Sequence, residues 1–220
     1  MAHALSPPIW FLLARDRRIA YLQMPKAGCT SIRAALCLWT RPDIPREQIL
    51  TRGTAGRHAE WSDLVGPDDP ILRECFRFTF VRNPYERFPS FFRSKIDGRT
   101  TAEIKPRFRK LGLQGGMSLE EALAAVEAAP REWLDPHLIP QSSFVFDGDQ
   151  QRVEFVGRLE QLQAGLDEIA ARTSTRLEVP RLNVTDRDPS APPRAPLSAA
   201  LKERIAHFYA EDFSRFGYAQ

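Results

Sequence analysis

An apolar run that stops at a proline, a short loop with one lysine and one glycine, and a helical pattern follow one another between Arg18 and Trp39. "RIAYLQM" (18–24) is rich in strand formers and ends at Pro25. From Thr30 the apolar residues Ile32, Ala35, Leu36 and Trp39 recur at helical spacing, and Pro42 closes the pattern. The order is strand, tight loop, helix. Further along, Phe76, Phe78 and Phe80 alternate with Arg77 and Thr79 in "CFRFTFVR" (75–82), a second strand that Asn83-Pro84 must turn. "SSFVFD" (142–147) and "VEFVG" (153–157) read as two more strands.

Helices fall between them. Ser118 and Glu121 form a capping box ahead of Leu119, Leu123 and Val126, and Pro130 ends that helix. Leu159, Leu162, Leu166 and Ile169 share one face of the next. A proline-rich loop from Pro180 to Pro196 precedes a last helix that opens near Ser198 and carries Leu201, Ile205, Phe208 and Tyr209. Strands alternating with helices predict an α/β fold with a mainly parallel central sheet flanked by helices. At 220 residues with 43% hydrophobic content, one domain spanning residues 1–220 suffices to bury a core.

Composition excludes several classes. A net charge of +3 suits acidic ligands but falls short of a nucleic-acid footprint. Cys29, Cys37 and Cys75 are odd in number and show no CxxC pairing, so neither a disulfide framework nor a zinc site is expected, and the compartment reads as reducing. "IWFLLA" (9–14) is too short to span a bilayer, and its arginines follow it. A soluble, cytoplasmic protein without an integral membrane segment is the expectation.

In a parallel sheet, ligands bind at the carboxyl ends of strands, where loops lead into helix amino ends. Residues 25–31 occupy such a place. The N–H groups of Gly28, Cys29, Thr30 and Ser31 would face an anion there, aided by the helix dipole. Gly28 permits close approach, the Thr30 and Ser31 hydroxyls can donate, and Lys26, one residue before Ala27, supplies a point charge. The triphosphatase loop GxxxxGK[ST] is absent, since this lysine precedes the glycine and no hydroxyl follows it to hold magnesium. An ordinary strand–turn–helix junction is the alternative. A second constellation, "FVRNPYERFPSFF", places Arg82 at a strand end and Ser90 eight residues on, at the start of a following helix, where a guanidinium fork and a hydroxyl suit a phosphate. Two anion positions at two strand ends suggest a nucleotide with two separated phosphates.

These two segments resemble the 5′-phosphosulfate loop ("PKAGCTSIRAAL") and the 3′-phosphate segment ("FTFVRNPYERFPSFFRSK") of sulfotransferases that use 3′-phosphoadenosine 5′-phosphosulfate (PAPS). The closer similarity is to the carbohydrate branch, which includes the Golgi chondroitin and glucuronyl sulfotransferases, and within it to soluble bacterial members. "DPHLIPQ", "VEFVGRLEQLQAGLDEI", "LNVT" and "IAHFYAEDFSRFGY" extend the resemblance over nearly the whole chain. The resemblance implies a P-loop-like three-layer fold and transfer of a sulfuryl group from PAPS to a hydroxyl, most often of a carbohydrate, with PAP released and no metal. It implies cofactor contacts at Lys26, Ala27, Gly28, Cys29, Thr30, Ser31, Arg82 and Ser90, with Lys26 neutralising the leaving phosphate. It gives the proton to His58, which lies between the two cofactor motifs, with His137 of "DPHLIPQ" as a rival base or a shaper of the acceptor cleft. Where family members often carry tryptophan, this chain has Ile32 and Leu138.

The segment from Arg93 to Lys110 is rich in arginine and lysine and reads either as a solvated helix face or as a receiver for an acidic sugar or the 3′-phosphate. Two other functions compete. A nucleotide-dependent kinase would need a magnesium-binding acid beside the loop, and a non-catalytic nucleotide or sulfated-glycan module would lack Lys26 or the base.

Overall fold

The computed structural model describes residues 7–14, 18–51, 63–175, 177–180 and 196–220. The chain divides into two compact units, one of Ile9–Val81 with Val145–Arg194 and the other of Arg82–Phe144 with Ala195–Gln220 and Met1–Pro8. None of the described helices is long and apolar enough to cross a membrane.

The first unit holds a five-stranded sheet in the order β3-β1-β2-β4-β7. β2 (Ile19–Leu22), β4 (Phe76–Val81) and β7 (Phe155–Arg158) are its parallel centre, with Ile19 opposite Phe76 and Phe78 opposite Phe155. The expected parallel sheet is therefore its middle. One side runs antiparallel: β1 (Phe11–Leu13) pairs with both β2 and β3 (Asp63–Val65). β1 is the "FLL" of the apolar run at 9–14, and its lack of alternation follows from burial of all three residues. "SSFVFD" departs from the strand expected there. Ser142–Val145 forms a one-turn helix, α6, and only Phe146–Asp147 (β5) is extended, closing a small hairpin with Gln150–Gln151 (β6). Three apolar residues in a row, Phe144, Val145 and Phe146, suit either state.

α1 (Cys29–Thr40) follows the first loop, and α2 (Arg46–Leu50) packs beside it. α7 (Leu162–Thr173) lies on β7. Ile32 and Leu36 of α1 and Leu166 and Ile169 of α7 bury against Tyr21, Phe78 and Phe80 of the sheet. This is the apolar face read from the sequence, closed by the residues that made the pattern. Gly165 of α7 sits where an added Cβ would lie 2.5 Å from the Phe80 ring. Alanine there would gain about 1 kcal/mol of helix propensity, but overpacking a filled core costs about 1–3 kcal/mol, so the clash wins. Gly165→Val, bulkier still, is expected to lower the melting temperature, and an unchanged Tm would show that α7 can shift off the sheet.

The second unit is helical. It contains α3 (Pro84–Lys95), α4 (Pro106–Arg109), α5 (Leu119–Ala128), α8 (Ala199–Phe208) and α9 (Ala210–Phe216). The capping box expected at Ser118 and Glu121 is present at α5. Ser198 caps α8, as expected, by accepting from the Leu201 N–H at 3.2 Å. What reads as one last helix is two, broken at Tyr209, whose φ of −109° and ψ of 28° leave the helical range. Asp212 and Phe213 beyond the break are buried, and the Phe213 ring packs at a tilt against Tyr85 of α3 with ring centres 4.8 Å apart.

Candidate active site

The loop between β2 and α1 is built from both sides. The buried Thr79 hydroxyl of β4 donates to the Leu22 carbonyl at 2.8 Å, fixing the end of β2. The Tyr21 hydroxyl, whose pKa burial pushes up, accepts from the Met24 N–H at 3.4 Å. Ala27 N–H returns to the Met24 carbonyl at 3.3 Å, closing the turn. Lys26 has φ 67° and Gly28 φ 76°, both left-handed. For an L-residue such as lysine this costs about 1–2 kcal/mol, a strain characteristic of functional turns. At Gly28 a Cβ would stand 2.8 Å from Leu159 Cδ1, so both backbone and space call for glycine.

Gly28 is also the N-cap of α1, and its carbonyl accepts from the Ile32 N–H at 3.1 Å. Its N-cap residue, being glycine, makes no side-chain cap, and its first turn holds no acidic residue. The first N–H groups of a helix have no partner within it, and the macrodipole makes that end positive. Lys26, Gly28, Cys29, Thr30 and Ser31 are half-buried and Ala27 is buried. The first unit thus carries a glycine-started, electropositive helix end behind a strained lysine turn, able to hold an oxyanion.

In the second unit, Arg82 precedes α3. Asn83 caps α3 by accepting from the Tyr85 N–H at 2.9 Å, with Pro84 at the first position. The Arg82 guanidinium, 21% exposed, reaches Glu86 at 3.4 Å. Ser90 lies well inside α3 rather than at its start, because the helix begins at Pro84. Only its hydroxyl is therefore available to a ligand. Glu86 and Ser90, four residues apart, share the face toward which Arg82 reaches.

His137 sits in a turn with Asp135. The Asp135 carboxylate accepts from the His137 N–H at 3.0 Å, contacts its Nδ1, and pairs through Oδ2 with Arg107 Nε at 2.7 Å. Burial raises the Asp135 pKa, but the His137 side chain and backbone, and then Arg107, outweigh it and hold the carboxyl below its ordinary value. A depressed acid adds stability above its unfolded pKa and loses it as pH falls through the folded one. Asp135→Asn should therefore melt below the wild type at pH 7, and the gap should narrow below about pH 4. A gap independent of pH would discount the charge.

The rings of Phe91 and Phe108 flank His137, with centres 6.5 and 6.2 Å from the imidazole. The basic segment is not one helix face. α3 ends at Lys95, Thr101–Glu103 form a 3-10 turn, and α4 follows. Lys95 is half-buried, and its pKa is lowered by burial and then by Lys105, Arg107 and Arg99. These cations crowd together beside Asp135. His58 lies outside the described residues, as do Asn183 and Thr185. Among the described residues no group of three or more His, Cys, Asp or Glu could hold a metal ion.

The sequence reading missed the residues that hold this geometry in place. Thr79 and Tyr21 read as ordinary strand positions, and Asp135 and Gln141 stood unweighed in "DPHLIPQ". A carboxylate two residues before a histidine, in the register of an Asx turn, was the available signal.

The model of the sulfotransferase family matches residues 10–219. The chain belongs to the sulfotransferase family. No curated protein and no solved structure matches it. The match spans the loop of Lys26, the Arg82 segment and the His137 turn of this sulfotransferase alike. Its chemistry is in general the transfer of a sulfuryl group to an acceptor, and the glycine-started helix end with its lysine turn suits the sulfate or phosphate oxygens such a reaction handles.

Proposed function

We propose that this sulfotransferase takes its sulfuryl group from PAPS and passes it to a hydroxyl of a carbohydrate. The observation that carries the reading is the Lys26–Ser31 turn, left-handed at Lys26 and at Gly28, and leading into a helix whose N-cap glycine brings no side chain to its first N–H groups. Its use of strand, loop and helix start for phosphate is P-loop-like, although the lysine comes before the glycine. β2 and β4 run side by side and parallel, and the chain continues from their carboxyl ends into this turn and into Arg82. The turn would hold the 5′-phosphosulfate, and Arg82 with the Ser90 hydroxyl the 3′-phosphate.

The reaction is an in-line displacement at sulfur. The acceptor oxygen forms the new S–O bond as the bond to the 5′-phosphate oxygen breaks, negative charge grows on that leaving oxygen, and the acceptor gives up one proton. Lys26 and the helix start would stabilise that leaving charge, since a preorganised charge does so without reorganisation. His58 would take the proton, as the family resemblance implies. His137, its ring oriented by Asp135, would hydrogen-bond the acceptor hydroxyl.

Incubation with PAPS labelled at sulfur and a panel of neutral and acidic glycans tests the reading, with label expected in a glycan product. PAP should also raise the melting temperature, since a ligand that binds only the folded state stabilises it by mass action. Saturating PAP without effect on melting, together with no labelled product, would overturn the donor assignment.

A further inference from the structure

Arg82 is the first residue beyond the last paired position of β4, where Val81 faces Arg158. Past that point its backbone is held by a side chain. The Arg82 N–H donates to Gln141 Oε1 at 2.9 Å, and Gln141 Nε2 donates to the Arg82 carbonyl at 2.8 Å. This exchange copies what a neighbouring strand does, with a primary amide in place of a peptide. The amide cannot be turned over. Its Nε2 also donates to Asp212 Oδ2 at 3.2 Å, so a flip would set Oε1 against a carboxylate and a carbonyl.

Asp212 is anchored in turn. Its Oδ2 accepts from the Gln141 N–H at 2.9 Å and its Oδ1 from the Ser142 N–H at 2.8 Å. Both Gln141 and Asp212 are 0% exposed. The same segment is gripped on either side of His137: Arg87 Nη2 donates to the Pro136 carbonyl at 3.4 Å and the Tyr209 hydroxyl to the Leu138 carbonyl at 3.0 Å. Packing alone does not call for this. Methionine or leucine would fill the volume of Gln141 without the desolvation cost of buried amide and carboxylate groups. With the Gln141 amide and both Asp212 oxygens hydrogen-bonded, the network instead specifies one geometry, and its output is the backbone direction of Arg82.

We propose that Gln141, locked by Asp212, is a positioning residue that aims Arg82 at the 3′-phosphate of the nucleotide. The proposal rests on the assignment of that phosphate to Arg82. Gln141 touches no ligand and acts only through the φ and ψ of its partner, so its loss should be read in one phosphate and not in overall nucleotide binding.

The experiment is calorimetric titration of the full chain with PAP and with AMP, which differ only in the 3′-phosphate. Arg82→Ala should weaken PAP by about tenfold or more and AMP by less than about twofold, the size of one lost charge-assisted hydrogen-bond set. If it leaves the PAP-to-AMP ratio unchanged, the phosphate assignment fails, and the Gln141 role fails with it. If it lowers the ratio, Gln141→Met and Gln141→Asn decide. Each should lower the ratio by about threefold to tenfold while retaining a cooperative melt. The double variant Arg82→Ala/Gln141→Met should bind PAP no worse than Arg82→Ala alone. A folded Gln141 variant with the wild-type ratio, or additive losses in the double variant, overturns the proposal while sparing the Arg82 assignment. If neither Gln141 variant folds, the residue is a requirement of folding and the positioning role is withdrawn.

Discussion

Lys26→Ala should lower kcat by about a hundredfold or more, the range for removing one preorganised stabiliser of transition-state charge, while PAP affinity falls far less. The left-handed backbone at residue 26 makes this a useful comparison, because alanine keeps the same Cβ in the same strained backbone and loses the methylene stem with its ammonium group. The N–H groups at the start of α1, which the substitution does not touch, stay in place for the proposed phosphate. Lys26→Arg should recover only part of the rate, because a guanidinium fork on a longer arm does not put its charge where the ammonium was. Single-turnover sulfuryl transfer, read beside PAP titration, separates the two effects. If Lys26→Ala keeps kcat within about threefold of wild type, charge development is handled elsewhere and the lysine only helps binding.

The parts of this fold that were legible in the sequence are those where local pattern and tertiary environment agree. β2, β4, α1 and α5 follow from alternation, helical spacing, Pro42 and the Ser118–Glu121 box, and each element lies where those signals put it. β1 and β3 were not legible. A fully buried three-residue strand shows no alternation, and β3 exposes Asp63 and Leu64 alike, so neither carries a period. The hairpin of β5 and β6 lies in a stretch whose apolar run fits a helical turn as well as a strand.

The site divides along the same line. The Lys26 loop was visible because glycine, lysine and two hydroxyls fall between a strand and a helix, a local arrangement. Ser90 was misplaced because Pro84, not residue 90, opens the helix; proline suits a first helical position, and Asn83 supplies the cap. The Asp212–Gln141–Arg82 network joins residues 59 and 71 positions apart along the chain, and no spacing rule reaches that far. The basic segment looked like a solvated stripe because its charges recur locally. Lys95 is half-buried instead, for reasons of tertiary packing that its neighbours in sequence do not reveal.

His58→Ala and His137→Ala should fail in different ways, and the difference identifies the proton's destination. A general base contributes about a hundredfold or more, and its titration appears as a rising limb of kcat/KM near the ordinary histidine pKa, at about 6 to 7. His58→Ala should lose both the rate and the limb. His137→Ala should keep the limb and raise the acceptor KM, by about tenfold for one lost hydrogen bond to substrate. Asp135→Asn should follow His137→Ala at smaller amplitude, because the Asp135 carboxylate is what turns the imidazole, and the backbone N–H contact at 3.0 Å leaves an asparagine oxygen a similar role in the turn. PAP affinity should barely move in any of the three. The opposite pattern, a limb that vanishes with His137 and survives the loss of His58, would assign the proton to His137. Asp135 would then stabilise the imidazolium as well as orient it, and Asp135→Asn should cost kcat rather than KM. Arg107 sharpens that distinction. It already draws on the second oxygen of Asp135, at 2.7 Å, so Arg107→Ala would leave more of the carboxylate's charge for the imidazole. In the base role this would shift the limb upward in pH, whereas in the hydrogen-bonding role it would leave the limb where it was.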